Sequence, residues 1–329
     1  MRASLSPPRD DEDDEKGVNE GCNDDHGEPR QQGVSESAAH FGTVRSWSDG
    51  VQYPMLTRRR SSLLPRMPIP DSPLHRLVIT GDDFGRNAEV NAAVERYHRA
   101  GALDQASLMV AEPHAEEAVA IARRNPGLRV GLHLTLCDGF GTEISELTDL
   151  TGRLNSSPAR AGCGYAFNWR LREPLRAEIR RQFERFNGLG FPPTYWDSHQ
   201  HLHLHPVVLQ LTLPIAWEHG FTKMRLLREP GSRTLLHWIF RGLSEAATAA
   251  LQRFSIDYDE QVFGLHHTGR MDLEAFRAAL SKARDSSTEI YWHPGAEANP
   301  PEPEALADLI AGRHSTCFTR YSVAGDGGV

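Results

Sequence analysis

Short apolar runs alternate with amphipathic segments along most of this chain, and the alternation begins abruptly near Leu77. The apolar run at residues 77–80 is typical of a strand buried in a parallel sheet. After a short loop, residues 87–100 carry apolar side chains at helical spacing, and Gly101 follows as a helix stop. The folded part of the chain is therefore predicted to open with a strand, a loop and a helix.

The same unit recurs toward the C-terminus. Further strands are predicted at residues 106–110, 129–136, 197–205, 222–226 and 289–292. Further helices are predicted at residues 115–124, 171–186, 207–219, 234–252, 273–284 and 303–312. Residues 137–170 show no clear period and are predicted to form loops. Alternating strands and helices predict a parallel sheet, and the number of units favours an α/β fold of the deformed (β/α) barrel, TIM-barrel-like type.

The first 74 residues differ from the rest. They contain an acidic run at 10–15, then Gly, Ser and Gln, then a basic triplet at 58–60 among Pro and Ser, without a sustained apolar period. Such a segment buries too little apolar surface to offset its loss of conformational entropy. We predict a disordered, acidic and Pro/Ser-rich tail at 1–74 and one folded domain at 75–325.

Composition narrows the function classes. The 329 residues are 39% hydrophobic and carry a formal net charge of −8, which favours a globular domain and argues against a nucleic-acid partner. No apolar run approaches the roughly 18 residues that a membrane span needs, and the acidic N-terminus does not resemble a secretory signal. We expect a cytoplasmic protein; its oligomeric state is open, with a homodimer as one alternative.

The densest chemistry lies at residues 197–205, which read Asp-Ser-His-Gln-His-Leu-His-Leu-His. In an extended chain, Asp197, His199, His201 and His203 would share one face. Several adjacent imidazoles pack poorly in an apolar core, so this face is predicted to border a wet or metal-filled cavity.

Two other segments, 80–85 and 130–134, place acid or imidazole groups at the ends of predicted strands. A lone His133 would be read as a core histidine, but three distant sources of Asp and His predict one mononuclear metal site. The Asp-Phe-Gly of residues 83–85 resembles a kinase motif, yet the upstream kinase elements are absent. One of Asp82 and Asp83 is more simply read as a metal ligand and its neighbour as a base.

Two further side chains stand at the ends of predicted strands. His293 precedes a proline, which keeps its backbone extended and projects its side chain at the strand end. Arg225 has Glu229 close behind it and either binds a substrate hydroxyl or anion or forms a structural salt bridge. With Asp82 and His199, these residues lie where barrels of this kind place their chemistry.

Five motifs, taken in order, resemble the YdjC-like carbohydrate deacetylases of the ChbG/HpnK type. They lie at 82–85 (Asp-Asp-Phe-Gly), 107–110 (Ser-Leu-Met-Val), 131–134 (Gly-Leu-His-Leu), 197–203 (Asp-Ser-His-Gln-His-Leu-His) and 289–294 (Glu-Ile-Tyr-Trp-His-Pro). The resemblance spans about residues 77–321. It implies a deformed barrel with one divalent metal ion, Mg or Zn, that removes the acetyl group from an N-acetylated amino sugar. The sugar would belong to an oligosaccharide or to a glycolipid such as an N-acetylglucosaminyl hopanoid.

Residue by residue, the resemblance implies that Asp83, His133 and His199 bind the metal, with Asp82 as general base and His293 as general acid. This set suits amide hydrolysis, because a bound metal lowers the pKa of its water toward about 7 and polarises the acetyl carbonyl. A base can then take the proton of the water, and an acid can protonate the leaving amine.

We also expect Arg225, His201 and His203 to contact the substrate. Two alternatives stay open. One is another metal hydrolase on a barrel, such as an amidohydrolase or a phosphoesterase, which would be favoured by two metals per chain. The other is a non-catalytic metal- or sugar-binding relative, although such a protein would not need both Asp82 and His293.

Overall fold

The computed structural model describes residues 77–231, 234–283 and 287–322, so the tail predicted at 1–74 lies outside the described residues. The strands are β1 Leu77–Phe84, β2 Gln105–Leu108, β3 Arg129–Leu134, β4 Tyr195–Ser198, β5 Lys223–Met224, β6 Gln261–Phe263 and β7 Thr288–Trp292. The helices are α1 Ala88–Arg99, α2 Ala115–Arg124, α3 Pro158–Phe167, α4 Arg172–Gly188, α5 Pro206–Glu218, α6 Leu235–Phe254, α7 Leu273–Lys282 and α8 Pro303–Ser322.

The strands form one parallel sheet in the order β5-β4-β3-β2-β1-β7-β6. The first strand of the chain is thus near the middle of the sheet, and β5 and β6 are its edges. The segment before β6 approaches β5 through an isolated parallel bridge between Lys223 and Asp257. This curled, incompletely closed sheet with its helices confirms the predicted deformed barrel.

Burial of the helix faces against the sheet follows the sequence pattern. On α4, Leu175, Ile179, Phe183 and Phe186 recur at helical spacing, and all four are fully buried. Phe183 meets the ring of Trp196 on β4 edge to face, with the ring centroids 5.7 Å apart. Burying a side chain of this size contributes about 1.5–3 kcal/mol each, so this stripe is a main anchor of the helix.

The structure differs from the predicted elements in four places. The last helix, α8, was predicted to end at residue 312 and runs to Ser322. Residues 137–170 are not all loop, because Ser157 caps the N-terminus of α3 by accepting a hydrogen bond from the backbone N–H of Arg160. The short edge strand β6 was not predicted. The prediction of one extended strand through residues 197–205 is wrong: β4 ends at Ser198, and His199–Leu204 forms a 3₁₀ segment.

That 3₁₀ segment, called here the histidine segment, is held by Ser198. Its Oγ accepts a hydrogen bond from the backbone N–H of His203 at 2.8 Å, which turns the chain back on itself. Gln200 and His201 both take the left-handed conformation, with φ of 56°. The histidines therefore do not share one face.

Candidate metal centre and active site

Asp82 and Asp83 are neighbours on β1, yet both carboxylates border His133. In a regular strand, neighbouring side chains point to opposite faces. Here the pairing of β1 with β2 is irregular between Gly81 and Phe84, and Asp83 has a positive φ of 63°. This local bulge turns Asp83 and lets two adjacent acids serve one site.

Asp83, His133 and His199 bring one carboxylate oxygen and two ring nitrogens together from β1, β3 and the histidine segment. His199 Nδ1 lies 2.8 Å from Asp83 Oδ1, and His133 Nε2 lies 3.3 Å from the same oxygen. All three side chains are buried. Two imidazoles and one carboxylate form a donor set that suits a divalent cation and leaves coordination positions open.

Each imidazole is held from behind by a further carboxylate. His133 Nδ1 lies 2.7 Å from Asp197 Oδ1, a contact fixed by the register that pairs these two residues across β3 and β4. His199 Nε2 lies 3.2 Å from Asp138 Oδ2. A carboxylate that accepts a hydrogen bond from the far ring nitrogen, as Asp197 does from His133 Nδ1, leaves the near nitrogen with a free lone pair, as metal-binding histidines require.

The contacts and the protonation of these polar side chains also suit a bound cation. His133 Nε2 is buried, and its nearest partner is Asp83 Oδ1 at 3.3 Å, a long contact that a cation between the two atoms would replace. Burial opposes ionisation of Asp83, but His133 and His199 outweigh it and hold the pKa of this carboxyl well below its usual value. Burial also opposes protonation of His133, but Asp197 raises the pKa of this imidazole to about 10, so protons and cations compete for it.

Behind the cluster lies a fully buried arginine. Arg225 Nη1 lies 2.7 Å from Asp82 Oδ2 and 2.6 Å from Asp197 Oδ2, and its Nη2 donates to Glu289 Oε1 at 2.8 Å. A second bond, from Nη2 to Asp82 Oδ1 at 2.9 Å, makes the contact with Asp82 bidentate. Burial raises the pKa of Asp82, and Arg225 opposes that rise. The guanidinium therefore fixes the orientation of Asp82.

In front of the cluster lies a second arginine, which is partly exposed. Arg86 Nη1 lies 2.9 Å from His199 Nε2 and 3.5 Å from Asp83 Oδ2, and its Nη2 donates to Asp138 Oδ2 at 3.0 Å. The Arg86 side chain is 32% exposed and that of Asp138 is 36% exposed. The site is thus closed on the side of Arg225 and open on the side of Arg86.

His293 follows β7 directly and is backed by Glu297. Its backbone N–H donates to Glu297 Oε1 at 3.2 Å, and its Nδ1 lies 3.7 Å from the same oxygen. Burial lowers the pKa of His293, but Glu297, Asp83 and Asp82 raise it above its usual value. A histidine with a raised pKa carries a proton that it can donate near neutral pH.

The residues expected to contact substrate have different surroundings. Arg225 is fully buried with its guanidinium engaged, which is the salt-bridge alternative left open by the sequence. His203 is also fully buried, and its ring nitrogens face Ser198 Oγ and the Arg225 carbonyl oxygen at 2.8 and 3.0 Å. A sugar could reach either only by breaking these bonds, so we do not assign them as sugar ligands. His201 is half-buried, with Nε2 3.1 Å from the Tyr291 hydroxyl.

Two charged residues of this site, Arg86 and Asp138, were not singled out in the sequence, and Glu289 entered only as the first residue of a motif, without a role. Asp138 lies in an aperiodic stretch, and nothing in the pattern of charges marks it. Its φ of 48° is a signal visible only in the structure. Four of the five non-glycine residues with positive φ in the described ranges, including Asp83 and Asp138, lie in or beside this site. Such strained positions are typical of functional sites.

Comparison with known proteins identifies one family and several similar proteins. A family model described as YdjC-like protein matches residues 76–317. A carbohydrate deacetylase of Brevibacillus brevis is 36% identical over 44% of this chain and 56% of its own length. A chitooligosaccharide deacetylase of Serratia marcescens is 32% identical over 48% of this chain and 61% of its own. The matches to these bacterial relatives thus span little more than half of their length.

Two comparisons extend further along the chain. A carbohydrate deacetylase of Mus musculus is 28% identical over 70% of this chain and 81% of its own length. The crystal structure of a proposed cellobiose-phosphate cleavage protein from Enterococcus faecalis aligns with a TM-score of 0.52 and 18% identity, over 72% of this chain and 94% of that one. At this identity the structural likeness supports the fold alone.

Proposed function

Because the chain belongs to the YdjC-like family, we propose that it is a metal-dependent hydrolase that removes the acetyl group from an N-acetylated amino sugar. The observation that carries the proposal is the convergence of Asp83, His133 and His199 beside a carboxylate, Asp82, that is not part of the same three-residue cluster. A cation site with a separate oriented base is the arrangement that amide hydrolysis needs.

The residues divide the chemistry among them. A divalent cation held by Asp83, His133 and His199 would supply an acidic water and a polarised acetyl carbonyl. Asp82, oriented by Arg225, accepts the proton of the attacking water. His293, which carries the proton favoured by Glu297, delivers it to the amine nitrogen as that group leaves.

The names of the relatives favour an amino sugar as the substrate, since they include carbohydrate and chitooligosaccharide deacetylases. We propose an N-acetylated oligosaccharide or a glycolipid, such as an N-acetylglucosaminyl hopanoid, as the substrate class. His201, which borders Tyr291 at the half-buried edge of the histidine segment, is the residue we retain as a sugar contact.

A phosphoesterase with two metals is less well supported. Asp82, His133 and Asp197 form a second group with metal-ligand spacing in the described part of the chain. That group shares His133 with the first, and the Arg225 guanidinium already lies against both of its carboxylates. A cation there would have to displace a buried arginine, so we propose one metal ion per chain.

The test is acetate release by the full chain, loaded with Zn or Mg, from N-acetylated chitooligosaccharides and from a glycolipid that carries N-acetylglucosamine. We expect Asp83→Asn to lose stoichiometric metal, because a neutral amide replaces the anionic ligand. We expect Asp82→Asn to keep its metal and to lose about two to four orders of magnitude in turnover, the range for a missing proton acceptor.

Glu116→Gln is the matched control, because Glu116 is an exposed carboxylate in the first turn of α2. It should keep both metal and activity. If Asp82→Asn empties the site while Asp83→Asn keeps its metal, the two roles are exchanged. If both variants remain fully active, the cluster is not the catalytic site, and two equivalents of metal would favour the phosphoesterase.

A further inference from the structure

The first turns of α6 have their polarity reversed. Leu235, Leu236, Trp238 and Ile239 are 77%, 54%, 57% and 48% exposed, whereas His237 between them is 3% exposed. A helix that packs on a barrel normally turns its apolar side chains inward and its polar ones outward. Four large apolar groups are thus exposed within five consecutive residues, which is a cluster rather than scattered exposure.

A pair of exposed aromatic residues lies at the C-terminal end of α3, where Phe167 is the last helical residue and Trp169 opens the 3₁₀ turn that follows. Phe167 is 85% exposed and Trp169 is 76% exposed. Both α3 and α6 contact the histidine segment and α5, so the two apolar groups lie on or directly beside helices that flank the same part of the barrel. We call Leu235, Leu236, Trp238 and Ile239, together with Phe167 and Trp169, the apolar face.

Arginines outnumber acids beside the apolar face. Residues 156–172 contain three arginines and residues 234–244 contain one, whereas the nearest acids are Glu173 and Glu245, which directly follow these two stretches. The Arg170 guanidinium lies 5.8 Å from the centroid of the Trp169 ring, which places a cation directly beside an exposed aromatic group.

From these observations we propose that the apolar face docks on the surface of an anionic lipid bilayer. Trp, Leu and Phe side chains flanked by more arginines than acids are the features of surfaces that lie in the membrane interface. The apolar groups would enter the boundary between headgroups and acyl chains, and the arginines would meet lipid phosphates. A second copy of this chain is a poorer occupant, because a two-fold contact sets the same arginines near one another.

The apolar face lies close to the candidate active site. Phe240, the next residue on α6, packs against the ring of His201 with centroids 5.6 Å apart, and His201 lies in the histidine segment that carries the candidate ligand His199. Docking would therefore hold the active site close to the membrane. This last step, but not the docking itself, rests on the proposed function, and it favours a lipid-linked amino sugar as substrate.

The test is co-sedimentation of the full chain with vesicles of phosphatidylcholine alone and of phosphatidylcholine mixed with phosphatidylglycerol. We expect binding to the anionic vesicles that weakens with added salt. The double variant Leu235→Ser/Trp238→Ser should bind these vesicles at least about tenfold more weakly, because two interfacial anchors are gone. The pair Phe167→Ser/Trp169→Ser on the other helix should weaken binding too, and it serves if the first variant fails to fold.

Leu150→Ser is the matched control, because Leu150 is 91% exposed but follows Asp149 in a loop that also holds Glu143 and Glu146. It should leave vesicle binding unchanged. No binding to anionic vesicles, or equal binding by the α6 variant and the unaltered chain, would overturn the proposal. So would a stable dimer, seen by analytical ultracentrifugation, that the α6 variant abolishes.

Membrane docking and the proposed function can be refuted independently of each other. The α6 variant should release acetate from a soluble chitooligosaccharide at the rate of the unaltered chain, because neither substituted residue belongs to the catalytic machinery. A chain that binds vesicles through this face but releases acetate from no substrate would refute the proposed function and leave the docking in place. A chain that releases acetate but does not bind anionic vesicles would refute the docking and leave the proposed function in place.

Discussion

The candidate site has two halves built from the same parts in different surroundings. In the inner half, Arg225 lies against Asp197, which supports His133. In the outer half, Arg86 lies against Asp138, which borders His199. Each half thus sets an arginine and a carboxylate beside one imidazole. The inner arginine is fully buried, whereas the outer one is 32% exposed.

This difference in exposure separates two tasks. Charges that are completely buried must keep their partners, so the inner half has one fixed geometry and can orient Asp82. Charges that reach water are screened and can exchange partners at low cost. The outer half is therefore the side from which water and substrate can enter, and its contacts can rearrange when they do.

The largest expected effect comes from removing the two arginines in turn. Arg225→Met leaves Asp82, Asp197 and Glu289 buried without their cation, and breaking such a buried network costs about 3–5 kcal/mol of unfolding free energy. Arg86→Met should cost less than about 1 kcal/mol, because its pairs are partly exposed. Urea denaturation of both variants measures the difference.

Equal losses of unfolding free energy in Arg225→Met and Arg86→Met would show that the two halves do not differ in the way their burial indicates. Arg225→Lys keeps a positive charge but cannot form the bidentate contact with Asp82. Its free energy of unfolding should lie between those of Arg225→Met and the unaltered chain. It also allows a measurement if Arg225→Met does not fold at all.

The next effect tests how firmly the inner half is held. His203 contacts the Arg225 carbonyl oxygen, and burial lowers the pKa of this imidazole to about 4. The folded state therefore binds this proton less readily than the unfolded state does. The resulting stability is present above about pH 6.5 and is lost as the pH falls through the window to about 4, on the order of 3 kcal/mol in all.

His203→Gln removes this titration, so its unfolding free energy should fall less steeply between pH 6.5 and pH 4 than that of the unaltered chain. The comparison requires urea denaturation at several pH values across the window. Parallel slopes in the two proteins would mean that His203 is protonated in the folded state as easily as in the unfolded one.

Much of this arrangement was predictable from sequence, and the reasons are local. Apolar runs and helical spacing define the strands and helices of the barrel, as the buried stripe Leu175–Phe186 illustrates. The positions of Asp83, His133 and His199 at strand ends are also visible in the pattern. All three meet because parallel strands bring their carboxyl ends to one edge of the sheet.

The rest depends on backbone geometry that side-chain periodicity does not encode. Alternation predicts that Asp82 and Asp83 point to opposite faces, but a bulge with positive φ at Asp83 lets both border His133. Alternation also predicts one face for the histidines after Ser198, whereas the turn held by Ser198 separates them. Likewise, the charge on Arg225 does not reveal that it is buried among three carboxylates.

The smallest expected effect compares the carboxylates behind the two imidazoles. Asp197→Asn should weaken Zn binding by about 10- to 100-fold, because the amide no longer fixes His133 with its free lone pair toward the metal. Asp138→Asn should weaken it only a few-fold, because Asp138 is 36% exposed and water can replace its contact with His199. Isothermal titration of each metal-stripped variant with Zn measures both values. If Asp138→Asn is the weaker binder of the two, the outer carboxylate holds its imidazole as firmly as a buried one, and exposure does not divide this site.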